Sequence, residues 1–281
     1  RFYTDGKLAP CWGYQVDETA SVVYGVYTHY EYTKDEEFLK NNLQVCEKAI
    51  IFLKKYVNDL FEETHKYKLS YDIWEENEGV HFYSLISILA AFDSILKIYG
   101  VLGKNISDFE NNRLKEEKIN KNKNEIGMLQ IELKKYIEEK MYDDNRKSYV
   151  KSLNDRRIDI SLLGSVVPFK VFSSKEKKIS NTIENINMNL RTYTGGYLRY
   201  ENDHYRNGSP WVISNLWMTL YYLEIGEKKK AKETFDFVLK TVGKHGFLGE
   251  QIDNSTLKPN WVIGLGWSHA MFIIVLEKLS K

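Results

Sequence analysis

Apolar residues recur at helical spacing along nearly the whole chain, and almost nowhere do they alternate as a half-buried strand requires. Residues 17–33 open on an acidic pair and carry Val22, Val23, Val26 and Tyr27 along one face. Residues 35–59 place Leu39, Leu43, Cys46, Ala49, Ile50 and Leu53 at helical spacing. Residues 81–98 hold Leu85, Ile88, Leu89 and Phe92, and the highly charged 123–141 keeps Ile126, Leu129, Leu133 and Ile137. The apolar stretch 158–172 is expected to form a shorter helix that ends near Pro168. Residues 175–190, 210–225 (with Pro210 in its first turn), 227–242 and 261–279 complete the series. A chain with this pattern must bury helix against helix. The expectation is an all-α fold whose antiparallel helix pairs form a toroid or a large bundle.

The 281 residues suffice for a substantial core. No Gly/Ser/Pro linker divides them, so residues 1–281 are expected to form one domain, and the Lys-, Asn- and Glu-rich run 110–124 reads as a solvated loop or frayed helix. Forty basic against 39 acidic residues leave a net charge of +1, so no overall field draws the chain to nucleic acid or to a membrane surface. Two cysteines cannot build a disulfide framework or a four-ligand zinc site. No apolar run is read as reaching the ~20 residues that span a bilayer, and no signal peptide opens the chain, which leans toward a cytoplasmic location. The start at Arg1-Phe2-Tyr3, without Met, is expected for a mature or truncated piece. Aromatics stand out at 14%, and flat rings with polar edges suit cores and sugar faces alike.

Four segments interrupt the helical pattern and share one composition, carboxylates or amides mixed with aromatics. They are 10–18 (PCWGYQVDE), 71–79 (YDIWEENEG), 196–208 (GYLRYENDHYRNG) and 246–253 (GFLGEQID). Each is expected to precede a helix. Two, four and two expected helices separate them in turn, and an even number returns an up-down chain to the same end. A random scatter would satisfy that parity about one time in eight, so the four loops are expected to face one end and build one site.

In 71–79, Asp72, Glu75, Glu76 and Glu78 crowd together with no Lys or Arg among them. Carboxylates near a helix N-terminus can serve the macrodipole alone, but four interleaved with Tyr71 and Trp74 exceed that need. Like charges and burial against an indole both raise a carboxyl pKa, as a general acid requires. Glu250 lies in a Gly-bounded turn before Gln251 and Asp253; the plain alternative is a polar turn with Asp253 capping the next helix. Two carboxylates from separate loops match glycoside hydrolysis, in which one protonates the leaving oxygen and the other activates water. Arg199, between Tyr197 and Tyr200, is a fixed donor for sugar hydroxyls, or else a surface ion pair with Glu201. The six histidines show no metal-ligand spacing, so no metal is expected, and Ser268-His269 reads as helical core. No G-x-S-x-G, P-loop or dinucleotide fingerprint occurs.

These segments resemble glycoside hydrolase family 15, the glucoamylase-type enzymes with an (α/α)6 barrel. The resemblance rests on Tyr-Asp-Ile-Trp-Glu-Glu with Gly-Val-His-Phe-Tyr-Ser downstream, Arg-Tyr-x-x-Asp-x-Tyr-x-x-Gly-x-Pro-Trp from Arg199 to Trp211, Gly-Glu-Gln-Ile-Asp, and Gly-Trp-Ser-His-Ala from Gly266. Residues 158–163 (IDISLL) also match a family segment, and the order runs through nearly the whole chain. The resemblance implies a six-hairpin toroid and an inverting exo-α-glucosidase. It would release β-D-glucose from non-reducing ends of α-1,4-glucans or maltooligosaccharides, without a cofactor. By that resemblance Glu75 is the general acid and Glu250 the general base; Asp72, Trp74, Glu76, Arg199, Tyr205 and Trp211 bind substrate, and Trp12 walls the cleft.

The resemblance also has departures. The family's early barrel helices, its Trp-x-Arg-Asp segment and the β-sandwich of prokaryotic members have no counterpart, so about nine of twelve barrel helices are expected and the toroid is expected to be incomplete at its N-terminus. Tyr14 and Gln15 stand where fungal members carry a basic residue. Two alternatives accompany this reading: the same chemistry on trehalose or an α-1,6-glucan, and a truncated, non-catalytic carbohydrate-binding remnant. The flank of Val22, Val23, Val26 and Tyr27 is expected to drive self-association if left uncovered.

Overall fold

Helices form at most positions the periodicity marks, and their ends follow local chemistry. In the computed structural model, which describes residues 3–7, 13–62, 69–103 and 113–281 (side chains from 120 onward in the last stretch), helix α1 spans Val16–Thr33. Asp17 and Glu18 occupy its first turn, where they favour the macrodipole, and Lys34 closes it in a left-handed conformation at φ 58°. Helix α2, Glu36–Phe61, starts where the Asp35 carboxylate accepts from the Phe38 N–H. Helix α3 is Phe82–Gly103 and α4 is Arg113–Lys140. Between α2 and α3 a short antiparallel hairpin pairs β1, Ser70–Tyr71, with β2, Glu78–Gly79.

The chain divides into two compact units. The first comprises Arg1–Met141 and Ser152–Asn154, the second Tyr142–Lys151 and Asp155–Lys281. In the first, α1, α2 and α4 pack on α3, which buries sixteen of its 22 residues. By length and composition α3 could cross a membrane, which corrects the expectation that no run comes close; here it is the central core helix. On α1, Val23 is buried while Val22 is 48% exposed.

The second unit is built on α6, Val212–Glu224, with eleven of thirteen residues buried. Around it stand α5 (Lys177–Leu190), α7 (Lys228–Leu239) and α8 (Gly266–Leu279), with the hairpins β3 (Tyr142–Asp143)–β4 (Ser148–Tyr149) and β5 (Gly249–Ile252)–β6 (Pro259–Ile263). The all-α class is as expected.

Three local expectations are corrected, and a fourth, a loop or frayed helix over 110–124, is met in its helical form. Residues 158–172 hold only a six-residue 3-10 turn, Ile160–Ser165, capped by Asp159 and wholly buried, so their apolar run marks complete burial and not one helix face. The last helix starts at Gly266, because Pro259–Ile263 is strand and Trp261 takes φ 65°. Pro210 lies before α6, outside its first turn. Much of the run 110–124 is helical from Arg113 on, as its content of Lys, Glu and Arg, all strong helix formers, allows.

Candidate active site

The first carboxylate cluster sits on the β1–β2 hairpin. Register pairs Ser70 with Gly79 and Tyr71 with Glu78, which leaves 72–77 as the loop. Asp72, 2% exposed, shapes this loop: its Oδ1 accepts from the N–H of Glu76 at 2.8 Å and of Asn77 at 3.4 Å. Glu75 adopts φ 59° at the turn. Trp74 is buried, whereas Glu75 and Glu76 are exposed, so the expected burial of Glu75 against an indole is not observed. The hairpin tip carries its carboxylate outward.

His81 pins the hairpin from below. Its Nε2 lies 3.1 Å from the Ser70 carbonyl and 3.0 Å from that of Asn77; two carbonyls can only accept, so Nε2 carries the proton. A Cβ on Gly79 would stand 3.1 Å from this ring. The 13–16 segment lies alongside β1: Tyr71 N–H donates to the Tyr14 carbonyl at 3.0 Å, and Gln15 Nε2 to the Asp72 carbonyl at 2.9 Å. At the start of α1, buried Asp17 accepts from the Ser84 hydroxyl at 3.0 Å. Burial pushes its carboxyl up to about 6, with a further contribution from the charges of Glu18 and Asp72. Trp12 lies outside the described residues.

The second cluster belongs to the β5–β6 hairpin. Gly249 pairs with Ile263 and Gln251 with Asn260, so the single residue Glu250 faces two, Trp261 and Val262, across a bulge. A Cβ on Gly249 would come within 2.7 Å of the Gln251 carbonyl oxygen on its own strand and 3.0 Å of the Asn260 backbone across the hairpin, so the bulge needs glycine there. Glu250 is half-buried, and among the described residues its Oε2 has no hydrogen-bond partner. Burial raises its pKa, and the charges of Arg199 and Arg206 act against that rise. Glu250 thus lies on a strand and not in a turn, and its segment precedes β6 and not a helix.

Arg199 is 2% exposed and held at both ends of its fork by Asp203, Nε to Oδ2 at 2.8 Å and Nη2 to Oδ1 at 2.9 Å. Its guanidinium carbon lies 4.4 Å from the Trp211 ring and 5.0 Å from those of Tyr200 and Tyr205. The expected alternative partner, Glu201, instead pairs with Arg146 and accepts from the Ile158 N–H. Gly208, at φ 63°, turns this segment where a Cβ would meet the Asp203 carbonyl at 2.7 Å. Tyr205 is 37% exposed and Trp211 is buried, their ring centres 6.0 Å apart.

The 196–208 segment and the β5 strand come together: Trp211 bridges Gln251, and Gln251 Nε2 donates to the Tyr205 carbonyl at 3.2 Å. The four loops are thus joined in pairs within each unit, 13–16 with β1 and 196–208 with β5. The helix count behind the expected parity is corrected too, since the third of the four helices counted between 79 and 196 is the 3-10 turn. Asp253 caps the β5–β6 turn, accepting from the Ser255 and Thr256 N–H groups at 3.0 and 2.7 Å, and caps no helix. Ser268 and His269 read as core, yet they anchor the Glu250 strand. The Ser268 hydroxyl donates to the Gly249 carbonyl at 2.9 Å, and His269 Nε2 accepts from the Leu248 N–H at 3.2 Å while Nδ1 faces the Leu265 carbonyl. Sequence reasoning does not single out Asp203, Arg206, Trp261 or Asp17. Among the described residues no three His, Cys, Asp or Glu group as a metal site would require.

Comparisons with known proteins identify the fold and the family. A 28% identical protein, an uncharacterized glycosyl hydrolase of Methanocaldococcus jannaschii, aligns with 100% of this chain and 44% of its own length. Trehalase 1 of Sulfolobus acidocaldarius is 23% identical over 95% of this chain and 42% of its own. The chain therefore spans less than half the length of these curated relatives. In structure it resembles a wild-type glycosidase, with a TM-score of 0.79 at 19% identity over 100% of this chain and 71% of that one. It also resembles the family 15 glucoamylase of Hypocrea jecorina, with a TM-score of 0.72 at 13% identity over 98% and 54%. The fold is accordingly the glucoamylase-type (α/α)6 fold. The model of the glycosyl hydrolases family 15 matches residues 10–244, and the chain belongs to that family.

Proposed function

We propose that the protein is an inverting, exo-acting α-glucosidase that releases β-D-glucose from the non-reducing end of an α-glucoside, with water as acceptor. The observation that carries this reading is Glu250, a half-buried carboxylate on a strand bulge with one oxygen lacking a hydrogen-bond partner among the described residues and two guanidinium groups acting on it. Burial makes such a carboxylate a stronger base, and the arginines favour its ionised form; a general base needs both. Glu250 takes a proton from the water whose oxygen bonds to the anomeric carbon. Glu75 gives its proton to the glycosidic oxygen as the bond from that carbon breaks. Asp72, Trp74 and Glu76 in the first unit, and Arg199, Tyr205 and Trp211 in the second, are the sugar-binding residues of each unit, and Asp203 keeps Arg199 in one orientation.

Two linkages compete for this site. The likeness in fold to glucoamylase suits α-1,4-linked maltooligosaccharides. The curated relatives named trehalase support α,α-trehalose, and their similarity in sequence is the greater. Proton NMR of fresh digests of maltotriose, trehalose and isomaltose tests both the linkage and the stereochemistry. The expected first product is β-glucose, and α-glucose appearing first overturns inversion. Binding of these sugars without turnover would favour the non-catalytic reading instead.

A further inference from the structure

We infer that Trp261 is a specificity-determining residue of the Glu250 site: its exposed indole is the platform on which the apolar face of a hexopyranose ring stacks, and Arg206 clamps that indole in place. The inference rests on the reading of Glu250 as the base of a glucosidase. The bulge puts Trp261 and Val262 opposite Glu250, so the indole belongs to one of the two β6 residues that face the carboxylate.

Trp261 is held there at a cost. Its φ of 65° is left-handed, a conformation that a bulky side chain adopts only where its surroundings impose it. Arg206, itself at φ 49°, lays its guanidinium carbon 3.2 Å from the centre of the indole ring. Tyr205 meets the same indole edge-on, at 85° and 6.4 Å. Two strained residues thus fix a side chain that is still 44% exposed. A core tryptophan would be covered; this one is immobilised and left open. Strain of this kind collects where a ligand must be met in one geometry. The Arg206 guanidinium covers one face of the indole, so pyranose C–H groups would stack on the opposite face. Arg206 also acts on the charge of Glu250, which places the clamp within electrostatic reach of the proposed base.

The test uses Trp261→Gly, which removes the ring and suits a left-handed φ, together with Trp261→Phe. Trp261→Gly should melt no lower than wild type while KM for trehalose or maltose rises about tenfold and kcat changes less. Trp261→Phe should recover most of the loss. Quenching of tryptophan fluorescence by the same sugars should be reduced in both variants. If wild type turns over glucosides and Trp261→Gly keeps KM within about twofold, the platform is refuted and the base assignment stands. If Trp261→Gly melts low enough to account for its lost activity, the indole is structural and the inference fails. If wild type neither binds nor cleaves any of these sugars, the reading of Glu250 falls, and the platform falls with it.

Discussion

Glu75 and Glu250 both ride on two-stranded hairpins, but the hairpins rest on different kinds of support. The loop that carries Glu75 is shaped by the buried acid Asp72, whose charge acts on a second buried acid, Asp17, bonded to Ser84 at the start of α1. Beside Glu250 lie cations: Arg199, locked to Asp203 among three aromatic rings, and Arg206 on Trp261. One carboxylate is exposed at a turn and the other is half-buried in a bulge. The contrast teaches that the surroundings of each carboxylate, open at the one and half-closed at the other, are set by the hairpins that carry them and not by the two glutamates themselves.

The largest expected effect breaks the comparison outright. Glu75→Gln and Glu250→Gln should each lower kcat/KM by about 10³-fold or more, several kcal/mol of transition-state stabilisation. A rate within tenfold of wild type for either variant would remove that residue from its assigned role. An added small nucleophile such as azide should rescue only Glu250→Gln, since only the base acts on the water.

The next effect sharpens the acidic side. In the folded protein Asp17 holds its proton up to about pH 6, against the ordinary value of 3.8. Because the folded value is the higher, its stabilising contribution is complete below pH ~4 and is lost as pH rises through about 6. The loss is on the order of 2–3 kcal/mol. Asp17→Asn should therefore match wild type near pH 4 and exceed it in urea unfolding at pH 7. Equal stability of the two proteins at pH 7 would show that Asp17 ionises without penalty.

A smaller effect separates shape from charge in the Glu75 hairpin. Asp72→Ala removes the acceptor for two backbone N–H groups and should cost about 1–2 kcal/mol. Asp72→Asn keeps an oxygen acceptor and should cost roughly half as much or less. If both variants cost the same, the carboxylate charge matters more there than its geometry.

Much of this was legible in the sequence for a physical reason. Helices α1 to α3 and α5 to α7 announce themselves because one face repeats every 3.6 residues, and the two carboxylate loops because acids gather there beside aromatics without adjacent lysines. The β5–β6 hairpin was hidden. Residues 259–265 (PNWVIGL) run without a break in apolar character into α8, so a short strand and a helix start read as one element. The partner of Arg199 was hidden as well. Asp203 wins over Glu201 because Asn202 takes φ 56° and turns the chain, which no spacing rule foretells.

The bulge has a mechanical consequence. In an evenly paired hairpin the strands can slip by two residues and restore the same side-chain pattern. Here one residue of β5 spans two of β6, Gly249 admits no Cβ, and Ser268 and His269 grip the chain on either side of it. Any slip would carry the irregularity away from Glu250 and drive a side chain into backbone. The hairpin therefore works as a detent, with a single position in which it can rest, and the carboxylate is indexed to that position however the exposed end of the strand pair moves.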